Sequence, residues 1–386
     1  MRIGTNMKMH LTMAIVLFGI ILGGCSQQES PATDDFEKQV EDYLKKYSYQ
    51  TTYNYAMQYT AGDPAKFNVW AQSKAALIKA GEDKVVRTNN DTFYKIAFVL
   101  LEEGPVVLES SETADDRFYS FQLMDDRNTN YQNVIHPKGK YTLYYGEKPE
   151  QIEGEAIEVP SKLSVVIVRV EVKNKNDADD MAAATKLFNG ITISGPIIAE
   201  FPKLDLLSGF DKKVVDEAHK RMDEAMVTTE FSKMIATPKD VPGKVSYLLL
   251  AAGSKGGWGG PVTSHSSYES FYTDAEGKEL KGSNGTYTIT TEAPPVDAFW
   301  SVTVYDSESQ RLHPNKDDRY HINNTTALPN EDGTYTFIFK TECGPEDRNC
   351  LEVPAGRFDI AARYYLPREP ILSGQWKMPK PKLKIK

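Results

Sequence analysis

Residues 93–124, FYKIAFVLLEEGPVVLESSETADDRFYSFQLM, decide the fold class of this 386-residue chain. Stretches over 93–101, 105–109 and 117–124 are rich in β-branched and aromatic residues, and turn-forming residues separate them. Strands this short and this closely spaced are typical of antiparallel sheets, because antiparallel strands need only short connections. We therefore predict that the chain is mainly β.

The strand pattern continues along both halves of the chain. Further strands are predicted at 141–145, 163–172, 245–252, 286–291, 298–305, 334–340 and 357–365. Asn284-Gly285 and Asp332-Gly333 precede two of them, and such dipeptides are hairpin signals. The strands fall into two groups, which predicts two β regions, and the spacing in the first is typical of an antiparallel sandwich.

Helical periodicity is found near the N-terminus and between the two strand groups. Residues 36–47 and 65–80 place apolar side chains at helical spacing. Residues 177–236 do so again, and the longest pattern covers 211–236. We expect this second region to form a small helical module, because Pro238 then interrupts the pattern.

These patterns divide the chain into six parts. They are a signal peptide over 1–24, a tether over 25–35, N-terminal helices with the first sandwich over 36–176, the helical module over 177–244, the second sandwich over 245–376 and a basic tail over 377–386. The tail carries five lysines. We expect it to be a solvated end, with contact to anionic lipid headgroups as the alternative.

The N-terminus has the features of an export signal. Arg2 and Lys8 precede the apolar run 11–22, which is shorter than the roughly 20 residues of a membrane-spanning helix. The run ends in Leu-Gly-Gly-Cys, with the cysteine at position 25, and this sequence resembles the bacterial lipobox. We expect lipidation of Cys25, which places the protein in the bacterial cell envelope, anchored to a membrane and facing the periplasm or the surface. The alternative is a plain signal peptide with an incidental cysteine.

The other two cysteines, Cys343 and Cys350, lie in the segment CGPEDRNC. An export compartment permits disulfides, and the Gly-Pro turn lets this segment fold back on itself. The segment has neither a C-x-x-C motif nor a nearby histidine pair, so a redox or metal role fits poorly. We predict a structural disulfide that contributes about 2.5 kcal/mol on the chain-entropy model.

Charge and motif content exclude several functions. The 54 acidic residues outnumber the 45 basic ones, and the net charge of −9 disfavours nucleic-acid binding. There is no phosphate-binding loop, nucleophile elbow or zinc-protease motif. The glycine run 253–260 follows a predicted strand without a helix after it, so it is a mobile loop that could line a cleft. His313 and His321 are too isolated to predict a metal site, and no cofactor is expected.

Two polar clusters at strand ends are the candidate ligand site. Asn90, Asp91 and Tyr94 belong to the first cluster, and Gln122 and Asp125 belong to the second. Asn and Asp often form turns at such places, which is the simpler interpretation. If the two loops converge, they form a tyrosine-lined polar pocket suited to a hydroxyl-rich ligand. Trp300 and Arg319 from the second sandwich are added to this site.

The residues in these clusters resemble two bacterial domain families that occur in tandem. Residues 89–131 resemble the domain of unknown function numbered twelve fifty-four, and four segments between 297 and 367 resemble the one numbered twelve fourteen. The matching positions are Asn89, Asp91, Thr92, Tyr94, Gly104, Pro105, Arg117, Phe118, Tyr119, Gln122, Leu123 and Asp125, then Phe299, Trp300, Ser301, Tyr305, Asp306, Arg319, Tyr320, Gly333, Pro354, Arg363, Tyr365 and Pro367. The family commonly has a tryptophan where this chain has Cys350. The resemblance implies an immunoglobulin-like sandwich, a helical segment and a jelly-roll-like sandwich, but no activity.

We expect a lipid-anchored envelope protein that binds a small polar or carbohydrate-like ligand. The alternatives are a hydrolase or lyase acting on a polysaccharide or ester, with Asp91 or Asp125 as acid and base, and a scaffold without a ligand. The expected partners are the membrane, through the lipid, and the small ligand. Nucleic acid is not expected, and a homodimer stays open.

Overall fold

The computed structural model describes residues 31–82, 86–111, 115–201 and 203–384. The predicted signal peptide and Cys25 lie outside these residues. The helices are α1 (Pro31–Thr60), α2 (Ala178–Asn189), α3 (Lys212–Thr228), α4 (Tyr247–Gly257) and α5 (Glu369–Leu372), with short 3-10 turns at Pro64–Lys66, Phe231–Met234, Pro238–Asp240 and Gly282–Asn284. Among the described residues, no helix is both long enough and apolar enough to span a bilayer.

Eighteen strands form four sheets in the described part of the chain. In the first half they are β1 (Gln72–Lys74), β2 (Thr92–Leu100), β3 (Val106–Ser110), β4 (Tyr119–Asp125), β5 (Asn130–Ile135), β6 (Gly139–Tyr144), β7 (Glu155–Glu158), β8 (Leu163–Glu171) and β9 (Thr192–Ser194). In the second half they are β10 (Ser266–Phe271), β11 (Thr286–Thr291), β12 (Trp300–Asp306), β13 (Arg311–Leu312), β14 (His321–Asn323), β15 (Tyr335–Lys340), β16 (Cys350–Glu352), β17 (Phe358–Tyr365) and β18 (Lys382–Lys384). The prediction of a mainly β protein is confirmed.

The first half is a sandwich of two sheets. The sheet β1-β2-β8-β4-β5 packs on the sheet β7-β6-β3-β9, and helix α2 closes the shared core with Ala184, Leu187 and Phe188. All nine residues of the central strand β8 are buried, because both of its faces are covered. Alternate residues, such as Val166 and Val168, point into the core, and the others point to the opposite face.

The second half repeats the arrangement with a different strand order. The sheet β10-β17-β12-β13, with β14 also on β12, packs against β16-β15-β11-β18. Cys343 and Cys350 form the predicted disulfide at the start of β16. The basic tail is not a free solvated end, because Lys382–Lys384 pairs with β11 as β18 and Leu383 packs on the core.

Three element predictions are corrected by tertiary packing. Residues 31–35 of the predicted tether are helical, and α1 continues to Thr60. The segment 65–80 is not a helix, because Asn68 and Ala71 bind the backbone of β2 and β1 pairs along that strand. Pairing with β2 is a tertiary contact, and here it overrides the helical periodicity of the segment.

The predicted strand 245–252 is instead the start of α4. Ser246 caps this helix by accepting a hydrogen bond from the backbone N–H of Leu249. A short, wholly apolar run has no period that separates a strand from a buried helix. Helix α4 packs with α1 and α3, so the helical module includes these three helices, whereas α2 belongs to the first sandwich.

Candidate functional site

The outer face of the first sheet is divided into two zones. One zone is apolar and includes Ile96, Phe98 and Ile167. Helix α1 covers this apolar zone with residues such as Ala56. At the other end of the same strands, alternation brings polar side chains to this face. They are Thr92 and Tyr94 from β2, Ser120 and Gln122 from β4, and Arg169 from β8. This polar zone meets the second sandwich.

The second sandwich presents a polar sheet face to this zone. Residues directly opposite each other in an antiparallel pair share a face. The register places Arg363 opposite both Ser301 and Tyr268, and it places Tyr365 opposite Ser266. We call the two facing surfaces the polar interface: Thr92, Tyr94, Ser120, Gln122 and Arg169 from the first sandwich, and Ser266, Tyr268, Ser301, Arg363 and Tyr365 from the second.

The segment 87–91 joins the two faces. The Asp91 carboxylate is fully buried and accepts hydrogen bonds from the hydroxyls of Ser301 and Tyr365. Asn89 donates to the Tyr365 hydroxyl, and the carbonyl of Thr88 accepts from the Tyr305 hydroxyl at 2.8 Å. The Asn-Asn-Asp cluster therefore ties the first sandwich to the second.

Each sandwich contributes one buried arginine to the interface, and neither arginine has a carboxylate partner. Arg169 is 6% exposed, donates to Gln122 and the Gly259 carbonyl, and stands 5.3 Å from the ring centre of Tyr94. Arg363 is 3% exposed and donates to Thr303, the Tyr305 hydroxyl and the Arg87 carbonyl. The Nε atom of each guanidinium is buried and has no hydrogen-bond partner. Buried charges are normally paired, so this arrangement is unusual.

Histidine 321 lies beside this network in a fixed tautomer. The Asn90 amide group donates to the Ile78 carbonyl, which leaves its oxygen facing His321 Nδ1 at 3.1 Å. Nδ1 must then carry the proton. Burial, with Lys175 and Arg363 nearby, lowers the pKa of His321 to about 4, against the opposing effect of Asp91. The imidazole is therefore neutral at neutral pH.

A small cavity of about 10 Å³ lies at the edge of the polar interface. Its lining includes Arg169, Ser120, His265, Ser266 and Tyr365. His265 Nδ1 and Ser266 Oγ are buried there without a hydrogen-bond partner, and burial lowers the pKa of His265. A cavity of this size holds about one water molecule.

The glycine run completes the wall of the interface. It is the end of helix α4 and the loop after it, not a mobile loop after a strand. The Gly259 carbonyl accepts from Gln122 at 3.1 Å, and the Gly260 carbonyl accepts from Gln122 and Asn130 at 3.0 Å each. Trp258 stacks on Tyr55 of α1, with ring centres 4.2 Å apart, which fixes the loop.

A larger cavity, of about 260 Å³, lies on the other side of Arg87. Arg87 pairs with Asp359 at 2.9 Å, and Arg357 lies 3.6 Å from Glu279. The arginine charges of this cavity are thus already compensated by the protein. No group of three His, Cys, Asp or Glu residues that could hold a metal is formed within the described ranges.

Four of the residues predicted from the sequence come together. Asn90, Asp91, Tyr94 and Gln122 all lie in or beside the polar interface, and Arg319 lies close enough to His321 to act on its pKa. The two strand-end clusters do not converge as loops, because Thr92 at the start of β2 lies level with Glu171 of β8, whereas Asp125 at the end of β4 lies level with Ser164 at the opposite end of the sheet. Tyr94 and Gln122 come together instead as strand residues on one face of that sheet.

Asp125 and Trp300 lie elsewhere. The Asp125 carboxylate accepts from the backbone N–H groups of Arg127 and Thr129 and pairs with the Arg127 side chain, so it holds its own turn. Trp300 packs in the core on the opposite face of β12. With Asp91 bound to Ser301 and Tyr365, both carboxylates proposed for acid and base catalysis are engaged in structural bonds.

The central residues of the interface were missed. Arg169 and Arg363 stand within the strands VVIVRVEV and FDIAARYY, each an arginine in an otherwise mostly apolar run. A charged residue inside a buried strand is rare unless it is paired, so these two were detectable. Tyr268 carried no comparable signal, whereas Arg363 and Tyr365 are among the positions that match the family pattern but were not assigned to the site.

Comparisons with known proteins agree with this architecture. Residues 67–195 match the family described as protein of unknown function (DUF1254), and residues 265–369 match protein of unknown function (DUF1214). No curated protein matches the chain.

Two solved structures are similar in fold. The crystal structure of the VPA0106 protein from Vibrio parahaemolyticus has a TM-score of 0.74 and 19% identity, with 91% of this chain and all 100% of that chain covered. An uncharacterised protein from Burkholderia cenocepacia has a TM-score of 0.48 and 13% identity, with 91% and 94% covered. The first supports the β-rich fold over most of the chain. With both family matches in the expected order, residues 67–195 form a DUF1254 domain and residues 265–369 a DUF1214 domain, in tandem.

Proposed function

We propose that this protein binds a small polar, carbohydrate-like ligand at the polar interface. One observation carries the proposal. Among the described residues, seven buried side-chain polar atoms lack a hydrogen-bond partner, and five of them lie at or beside this interface. The five are Thr92 Oγ1, Arg169 Nε, His265 Nδ1, Ser266 Oγ and Arg363 Nε.

Such a concentration of unpaired atoms fits a binding site. Each buried polar group without a partner costs roughly 1–3 kcal/mol, and native proteins keep few of them. A hydroxyl-rich ligand supplies both donors and acceptors. Tyr94 and Tyr268 are half-buried, so part of each of these aromatic residues is accessible to solvent at the interface. Aromatic faces pack well against the C–H surface of a sugar, while hydroxyl groups at the ring edge fix its orientation.

A matched pair of valine variants tests the proposal. Thr92 Oγ1 lies in the polar interface, whereas Thr129 Oγ1 is equally buried and unpaired but belongs to the turn after β4. Thr92→Val and Thr129→Val each remove an unpaired hydroxyl with little change in shape, so both should leave the stability of the free protein unchanged or slightly higher. Only Thr92→Val should weaken ligand binding.

The measurement is a thermal-shift screen of the purified protein with neutral sugars, sugar acids and polyols. A ligand at about 100 times its Kd adds roughly 2.7 kcal/mol to the stability of the protein that binds it. We expect a shift in the wild type and in Thr129→Val, and a smaller one in Thr92→Val. Equal thermal shifts in all three proteins would mean that the ligand binds outside the polar interface. If no sugar, sugar acid or polyol shifts the wild type, the scaffold alternative is favoured.

We also propose that Cys25 carries a lipid that holds the protein in the cell envelope. The sequence Leu-Gly-Gly-Cys after a short apolar run supports this proposal. Cys25→Ser should abolish incorporation of labelled fatty acid and release the protein from the membrane fraction. Retention of label in the variant would contradict the proposal.

A further inference from the structure

We infer that the ligand is acidic, with an oxyanion such as the carboxylate of a sugar acid bound by Arg169 and Arg363. This inference rests on the proposed binding function and specifies its ligand. It starts from the charges buried between the two sandwiches. Arg169 and Arg363 are both more than nine-tenths buried, and among the described residues neither forms an ion pair.

The protein's own carboxylates do not neutralise this pair. Asp91 raises the pKa of Arg363 against the effect of burial, but its oxygens accept from Ser301 and Tyr365 rather than from a guanidinium. Glu171 is two residues from Arg169, and its carboxylate accepts from the backbone of Phe118. Burial raises the pKa of Glu171 to about 7, so it is only partly ionised at neutral pH. Neither carboxylate contacts a guanidinium directly, so both arginines lack a paired anion among the described residues.

Another buried arginine shows how the same fold pairs a structural guanidinium. Arg117 is 1% exposed, and its Nη2 atom lies 2.8 Å from Asp115 and 2.7 Å from Asp180. Where Arg117 has two carboxylates, Arg169 has the tyrosines 94, 268 and 365 around it. These rings and hydroxyls tolerate a cation without cancelling its charge.

The geometry of the free donors suits an oxyanion. A guanidinium binds a carboxylate best through two parallel N–H groups, and the Nε–H is one of the two in a common fork. In both arginines each Nη atom already donates to a protein acceptor, so the donor left for an oxyanion is the buried Nε–H, which has no partner. Each guanidinium also lies over a tyrosine of the interface, with the Arg169 carbon Cζ 5.3 Å from the ring centre of Tyr94 and that of Arg363 5.6 Å from the ring centre of Tyr268.

The test compares neutral and acidic probes of the same shape. We would measure the affinities of glucose and glucuronate, and of galactose and galacturonate, for the purified protein by calorimetry. Thermal shifts with acetate, phosphate and sulfate, relative to chloride at equal ionic strength, test the anion site alone and distinguish a carboxylate from a phosphate or sulfate group. We expect the acidic sugar to bind about tenfold or more tightly than its neutral partner.

Two variants and a control complete the experiment. Arg169→Met should remove the preference for the acidic sugar and the response to oxyanions. Arg169→Lys keeps the positive charge but loses the planar guanidinium, so its preference for the acidic sugar should be intermediate. This variant still tests the role of Arg169 if Arg169→Met does not fold. Arg127→Met removes an arginine that pairs with Asp125 in its own turn and should retain the wild-type preference.

Each outcome decides the inference. Equal affinity for glucose and glucuronate, unchanged in Arg169→Met, overturns it and leaves the proposed sugar binding intact. An oxyanion response that depends on Arg169, without binding of any sugar, supports the acidic ligand and contradicts the carbohydrate class. No response to any probe in the wild type contradicts both.

Discussion

At the scale of single residues, the clearest departure from ordinary burial outside the interface is Lys95. It lies on β2 with its side chain on the core face of the first sandwich and is 3% exposed. Its ammonium group donates to the Ile191 carbonyl at 2.6 Å and stands 4.6 Å from the ring centre of Phe188 and 5.2 Å from that of Trp70. Burial lowers the pKa of Lys95 to about 8, because one acceptor and two rings replace only part of its hydration.

This pKa predicts a pH-dependent stability. An unfolded lysine has a pKa of about 10.4, so between about pH 8 and 10.4 the unfolded state binds more protons than the folded state. The free energy of unfolding of the wild type, relative to Lys95→Met, should therefore rise across this window by up to about 3 kcal/mol. Urea unfolding at a series of pH values measures the difference.

A surface lysine provides the control for this measurement. Lys186 is exposed on α2, and the difference between wild type and Lys186→Met should stay flat over the same pH range. A flat difference for Lys95→Met as well would mean that the folded protein leaves the Lys95 pKa unshifted.

At the scale of elements, the loop after α4 connects the helical module to the polar interface. Trp258 donates to Thr52 of α1 at 3.0 Å, and the next residue, Gly259, presents its carbonyl to Gln122 and Arg169. Gly259 has a φ of +82°, and a β-carbon at this position would lie 3.1 Å from Ile167 Cδ1. Only glycine adopts this backbone conformation at low cost. The positions of the Gly259 and Gly260 carbonyls therefore depend on a glycine at 259.

We predict that Gly259→Ala changes both stability and ligand binding. The positive φ costs about 1 kcal/mol for alanine, and the contact with Ile167 shifts the loop in addition. Gly277→Ala is the matched control, since Gly277 has a φ of +79° and nothing within 4 Å of the added carbon. Both variants should lose stability in urea unfolding, but only Gly259→Ala should also reduce the ligand-induced thermal shift. An unchanged shift would remove the loop from the site.

At the scale of the whole molecule, an aromatic cluster beside the polar interface joins the two sandwiches. Phe299 and Tyr365 from the second sandwich stack at 4.0 Å between ring centres, and Phe118 of the first lies 5.2 Å from Tyr365. All three side chains are buried. This cluster adds apolar contact to hydrogen bonds and to ion pairs such as Arg87–Asp359, and Ala80 packs against a second apolar cluster that includes Tyr305 and Tyr320.

Removal of Phe299 should therefore uncouple the two halves. Phe299→Ala and Phe337→Ala each delete a buried ring, and each should cost about 3 kcal/mol. Phe337 lies wholly in the second core, so its variant should still unfold in one transition. Phe299→Ala should broaden urea unfolding or split it into two steps, because the sandwiches no longer stabilise each other. A single sharp transition in both variants would contradict the coupling.

The sequence predicts the fold of this protein better than it predicts the candidate site. The strand pattern over 93–124 correctly predicted a mainly β chain, because alternation and turn residues are local properties of the sequence. The proximity of Cys343 to Cys350 along the chain likewise predicted their disulfide. The apolar run at 245–252 was predicted as a strand and forms a helix, because only its neighbours α1 and α3 decide which conformation buries it best.

For the site, the sequence by itself determined that polar groups such as Asp91 and Gln122 stand at or within strands where apolar residues are expected. It also determined, by alternation, that Arg363 and Tyr365 share one face of their strand. The tertiary structure alone decided that this face meets the one that bears Arg169. Which two sheet faces meet depends on the packing of two separate cores, and no local pattern in either strand encodes that contact.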